Sequence, residues 1–244
     1  MIDRFYSVHV LSVASALLLI ALVAIAQCAL TPHNSLPHRV DAPLPLKSLG
    51  GNPVLQIELA WRARQLACIF DPRGTGESLQ ANLDDVAAGN TIDSFAFIPT
   101  YSLLFLALGA LGLAANERRR TWWFLVIAAI VSIAAVADWL ENIGILEVTR
   151  HFAASPVHRT HPLAPDLDAL DVSESALVKW SAIVAVLGLI GAQFAIARRW
   201  WSWLLALAAG ATAVLVASML VVYTQERMTS VEPPAASVER TACG

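Results

Sequence analysis

The sequence predicts an all-α polytopic membrane protein, with five transmembrane helices and a helical external cap. Three observations predict it. The 244 residues are 57% hydrophobic and only 14% charged, whereas a soluble domain is about a quarter charged. Five apolar stretches each reach the roughly 20 residues that a bilayer crossing takes. Arginines gather in two short turns between those stretches, where the positive-inside rule places cytoplasmic loops. A membrane β-barrel does not fit, because its strands alternate apolar and polar residues over about 10 positions. The formal charge of -3 argues against a nucleic-acid partner.

The first helix falls in residues 1–30, with its apolar run at Val8–Ala29. Arg4 precedes it, and Ala24-Ile-Ala26 resembles a signal cleavage site. The run is about 19 residues long, more than the 7–15 of a signal peptide, so it reads as a retained helix. Cys28, Cys68 and Cys243 form no framework. A Cys28–Cys68 bridge requires an oxidising compartment.

Residues 31–93 form an external segment. Pro32, Pro37, Pro43, Pro45 and Pro53 make its first part an extended linker. Val54–Phe70 then reads as one amphipathic helix, with Leu55, Leu59, Leu66 and Phe70 near helical spacing and a Glu58–Arg62 i,i+4 pair. A second short helix is expected over Leu79–Ala88. Together they form either an interfacial lid or a solvated cap.

The second and third helices, Phe95–Ala115 and Trp122–Ile145, fill residues 94–146 and are joined by Asn116-Glu-Arg-Arg-Arg-Thr121. Residues 147–175 are expected as an external loop with Pro156 and Pro162. His151, His158 and His161 match no metal-ligand spacing there. The fourth and fifth helices, Ala176–Ala197 and Trp201–Tyr223, lie within 176–223 and are joined by Arg198-Arg199. Residues 224–244 read as a disordered external tail. The arginine turns put the N-terminus in the cytoplasm and the C-terminus outside, in a bacterial inner membrane. Tryptophans 122, 123, 200, 201 and 203 fall at the cytoplasmic interface. Gly109-x-x-Gly112 and Gly188-x-x-Gly191-Ala192 permit close helix packing.

Chemistry concentrates in the third helix. Asp138, Glu141 and Asn142 are spaced i, i+3 and i+4 and share a face. Ionisable groups in a span are costly and mark function or internal pairing. Asp138 lies about 25 Å along the helix from Thr121, close to the far edge of a hydrocarbon core about 30 Å thick. Asp93, Tyr101 and Lys179 fall at similar depth on the second and fourth helices. Two readings follow. Lys179 neutralises a carboxylate, with Tyr101 and Asn142 completing the hydrogen bonds. Alternatively, a carboxyl acts as general acid or base, or joins Asn142 in holding a divalent metal. No cofactor motif is present. Gly74-Thr-Gly-Glu-Ser78 lacks the Lys of a phosphate loop, and there is no Gly-x-Ser-x-Gly or His-Glu-x-x-His.

Glu58-Leu-Ala60, Asp93, Phe97-Ile-Pro-Thr-Tyr101 and Asp138-x-x-Glu-Asn142 together resemble a group of uncharacterised bacterial multi-pass membrane proteins, over about residues 55–180. The resemblance implies a shared architecture and gives weight to Asp93, Tyr101, Asp138, Glu141 and Asn142. It implies no activity. The expected function is that of an integral membrane protein, an accessory or scaffolding subunit with membrane lipid and a membrane-protein partner around it. A membrane enzyme acting on a lipid or headgroup through Asp138 and Glu141 is the alternative, and an ion or proton carrier the third.

Overall fold

A computed structural model describes residues 2–33, 53–60, 63–70, 79–116, 121–154, 163–197 and 200–229. The described residues are all-helical: α1 (Ile2–His33), α2 (Pro53–Leu59), α3 (Ala63–Phe70), α4 (Leu79–Ile92), α5 (Ile98–Ala115), α6 (Thr121–Ala154), α7 (Leu163–Ile196) and α8 (Trp200–Thr229). A π-helical turn, Asp93–Phe97, joins α4 to α5. Five helical stretches are long and apolar enough to cross a membrane: Val8–Cys28, Leu79–Ala115, Thr121–Ala154, Asp171–Ile196 and Trp200–Thr229. The chain is a multi-pass membrane protein.

The chain divides into two compact units. The first comprises Met1–Ala26, Ser94–Asp138 and Val178–Ser218. Its parts of α5 to α8 are each about 18–22 residues long, or roughly 27–33 Å of helix, which matches a hydrocarbon core. Leu111, Ile127, Val131, Val186, Ile190 and Phe194 form its core, with Val8, Leu11 and Trp201 packed against them. The outward faces remain apolar: Leu125, Ile133, Leu204, Leu207, Val214 and Leu215 are all exposed. Exposed apolar side chains are what lipid tails require of a span. Helix approach relies on small residues at two points. A Cβ at Gly109 would lie 3.2 Å from Ile127, and one at Gly112 would lie 2.5 Å from the Oε1 of buried Gln193. Gly188 faces open space and has no such role.

The second unit comprises Gln27–Asp93, Trp139–Leu177 and Met219–Gly244. Ile57, Leu66, Ile69, Phe70, Leu83, Val86, Ile145, Val148 and Val172 build its core. Phe152 meets Phe70 edge-on at 5.6 Å between ring centroids. The space among Ile57, Leu66, Phe70, Ile145, Val148 and Val172 leaves no room for water, as in an ordinary packed interior. At Gly144 α6 comes close to α7, where an added Cβ would lie 2.6 Å from Val172 Cγ2.

Several expected boundaries shift in this unit. The single helix over Val54–Phe70 is two helices, broken at Ala60, whose N–H donates to the Ile57 carbonyl at 3.3 Å. On one straight helix Leu66 would sit about half a turn away from Ile57, yet both belong to one core. The break reconciles them. The expected loop 147–175 is largely helix, since α6 runs on to Ala154 and α7 begins at Leu163. Ile145, Val148 and Phe152 continue an apolar stripe that the core covers. The first part of the expected tail, 224–229, is helical, because α8 reaches Thr229. Tyr223 is fully buried and Arg227 lies 3.8 Å from Glu174. Cys28 is a free, exposed thiol, and the Cys68 side chain is outside the described ones. Of the expected Pro-rich linker, Pro32 lies in α1 and Pro53 opens α2; its remainder, the 230–244 tail, His158 and His161 lie outside the described residues.

Candidate functional site

Five of the six candidate residues fall into two groups. In the first unit, Tyr101 on α5, Asp138 on α6 and Lys179 on α7 meet. The Tyr101 hydroxyl donates to Asp138 Oδ2 at 2.9 Å. Lys179 Nζ lies 3.1 Å from Asp138 Oδ1. All three residues are buried, at 4%, 3% and 4% exposure respectively. The ammonium also stands 5.2 Å from the centre of the Trp180 ring, within cation–π range. Each carboxylate oxygen of Asp138 thus has a donor, and one donor is charged. A charged pair in a medium of low polarity needs this completeness.

The tyrosine is held by its own helix face. Phe97, Tyr101 and Phe105 recur every four residues, and their rings meet at 5.6 and 5.9 Å. Side chains at that spacing stack along one stripe of a helix. The stripe keeps the phenol in one rotamer and its hydroxyl aimed at α6.

In the second unit, Asp93 and Asn142 are assembled with a residue that sequence reasoning misses. Asn142 Nδ2 donates to Asp93 Oδ2 at 2.6 Å. The backbone carbonyl of Asn142 accepts from Asn90 Nδ2 at 2.7 Å. Asn90 and Asp93 lie three residues apart across the end of α4, so that end grips α6 at a single residue, once through its side chain and once through its backbone. Asn82 does similar work one turn into α4, donating to the carbonyl of Phe70 at 2.7 Å and so capping α3. Glu141 is buried, at 1% exposure.

The π-turn that carries Asp93 has a local cause. Pro99 has no N–H for the carbonyl of Phe95 and its ring crowds that carbonyl. A wider turn over Asp93–Phe97 relieves the crowding, and such turns often mark special positions in helices. Asn90 leaves one legible trace. It follows Leu83 and Val86 on the buried face of α4, a polar residue in an apolar stripe. An expected helix end at Ala88 falls too early to place it.

The first group therefore joins three helices through a neutralised carboxylate. The second joins α4 to α6 through amide and carboxylate hydrogen bonds. Among the described residues, no group of three or more His, Cys, Asp or Glu side chains is placed to hold a metal ion. His151 is exposed on α6. Comparison with known protein families, curated proteins and solved structures gives no match.

Proposed function

We propose that this is a non-enzymatic integral membrane protein, an accessory or scaffolding subunit that works through a membrane-protein partner. The observation that carries the reading is the Tyr101–Asp138–Lys179 triad. Its carboxylate is engaged at both oxygens by side chains of the same unit, which leaves it poorly placed to take a proton from a substrate. Charge is used here to fix helices to one another. The arginines at sequence positions 118–120 and 198–199 support a cytoplasmic N-terminus and an external C-terminus in a bacterial inner membrane. The uncovered face of α8 supplies area for a partner, since Leu207, Val214 and Leu215 are exposed there.

The test is photo-crosslinking in native membranes, with the reactive group at Leu207 or Leu215. A discrete protein adduct supports the subunit reading. Adducts with lipid alone from both positions overturn it.

A membrane enzyme acting on a lipid or headgroup is the second reading. What favours it is Glu141, an acid placed at 1% exposure, where burial is costly. Glu141→Gln separates the two. Reduced abundance fits pairing, whereas normal abundance with lost activity fits chemistry.

A further inference from the structure

Helices α6, α7 and α8 have 34, 34 and 30 residues. They are about 45–51 Å long, against a hydrocarbon core about 30 Å thick. The subunit reading has no use for the excess length. Each helix shows on its own exposed face where that excess begins. On α6 the exposed Leu, Ile and Val side chains run from Leu125 to Ile143, on α7 from Val178 to Ile196, and on α8 from Leu204 to Val221. Each run rises over 17 or 18 residues, or about 26–27 Å. No exposed side chain inside the three runs is charged.

Past each run the same face turns polar. Four residues on, where side chains share a face, Glu147 follows Ile143, Glu174 precedes Val178 and Gln225 follows Val221, all exposed. The α4–α5 stretch repeats the pattern, with exposed Thr91 four residues before exposed Phe95. Beyond these limits on α4, α6, α7 and α8, Met228 is the one large apolar side chain exposed among the described residues. Leu83, Val86, Val148 and Val172 turn instead into the core of the second unit. On the exposed face of α4, Gln80 donates to Asp84 at 2.8 Å, an i,i+4 pair of the kind that suits a solvated helix.

We infer that the bilayer ends at Phe95, Ile143, Val178 and Val221, and that α4 and the adjoining ends of α6, α7 and α8 form a folded domain in water. An uncharged apolar belt of hydrocarbon length suits lipid tails, whereas a charged side chain facing them is costly. A domain in water buries its large apolar side chains and exposes polar ones, as the second unit does. Helix α4, whose hydropathy joins it to α5 in one 37-residue span candidate, then stands outside the hydrocarbon. Whatever the second unit binds reaches it through water. The inference is independent of the subunit reading, which concerns the apolar face of α8.

The test is nitroxide accessibility in the purified full chain, with Cys28, Cys68 and Cys243 replaced by Ser, in vesicles of phosphatidylcholine and phosphatidylglycerol. One label at a time is attached through Thr91→Cys, Phe95→Cys, Ile143→Cys, Glu147→Cys, Glu174→Cys, Val178→Cys, Val221→Cys or Gln225→Cys. All eight side chains are exposed, so the substitutions spare both cores. Oxygen partitions into lipid, and a nickel chelate supplied on both sides of the vesicle stays in water. The oxygen-to-chelate collision ratio should be at least about fivefold higher at Phe95, Ile143, Val178 and Val221 than at the polar position four residues away. Equal ratios within a pair overturn the inference for that helix. Low access to both reagents at the four apolar positions overturns it as well, because protein would then cover them in place of lipid.

Discussion

Replacing Lys179 with Met removes the charge beside Asp138 while keeping most of the side-chain volume. The carboxylate, 3% exposed and 3.1 Å from the ammonium, is left with the Tyr101 hydroxyl as its remaining partner in the triad. Breaking a buried pair from one side costs about 3–5 kcal/mol, because the stranded charge stays desolvated. The reverse variant, Asp138→Asn, should cost less, about 1–3 kcal/mol, because a lysine stem can carry its ammonium toward water. The double variant removes both charges and lets the substituted amide keep a bond to Tyr101. Replacing both members of a buried pair is often close to neutral, so it should lie within about 1–2 kcal/mol of wild type. The assay is reversible unfolding in mixed micelles, read by circular dichroism, as a double-mutant cycle. A coupling energy of at least about 2 kcal/mol is expected. Single-variant costs that simply add in the double variant would refute the pairing account.

Other consequences are measurable. Tyr101→Phe removes one donor from Asp138 Oδ2 and should cost about 1–2 kcal/mol in the same assay. Phe70→Ala opens the core of the second unit and should cost about 3–5 kcal/mol, with faster hydrogen exchange in α2, α3 and α4. Asn90→Ala withdraws the donor from the Asn142 carbonyl and should cost about 1 kcal/mol, with loss of protection at the C-terminal end of α4. Gly144→Ala gains about 1 kcal/mol of helix propensity. Its Cβ nevertheless meets the stiff, β-branched Val172 at 2.6 Å, so overpacking by about 1–3 kcal/mol should win. Val172→Ala should rescue it, and failure to rescue would show that the strain lies elsewhere.

The spans were legible because hydropathy is additive along a helix and a bilayer demands a fixed length of it. Arginines and tryptophans in the sequence marked their ends. What lay beyond the apolar runs was harder. Ile145, Val148 and Phe152 continue α6 into a packed core, but polar neighbours dilute their hydropathy and a window over 147–175 reads as loop. The break between α2 and α3 depends on Ile57 and Leu66 sharing a core, which is a tertiary fact.

The site was legible by residue type and less so by partner. Depth counting brought Tyr101 and Lys179 to the level of Asp138, and the structure joins them. Depth counting gave no means of separating Asp93 and Asn142 into a second group. Nor did it reveal Asn90, whose partner is a backbone carbonyl and so leaves no mark in the identity of the opposing side chain.

The central claim is that charge at Asp138 serves internal pairing in a protein that works through a partner. Its most direct test is Asp138→Asn/Lys179→Met in the native membrane, with abundance and the α8 photo-crosslink measured together. The account predicts near wild-type abundance and an unchanged protein adduct. Wild-type abundance with the adduct lost would contradict it, because the charges would then act beyond the fold that they hold together.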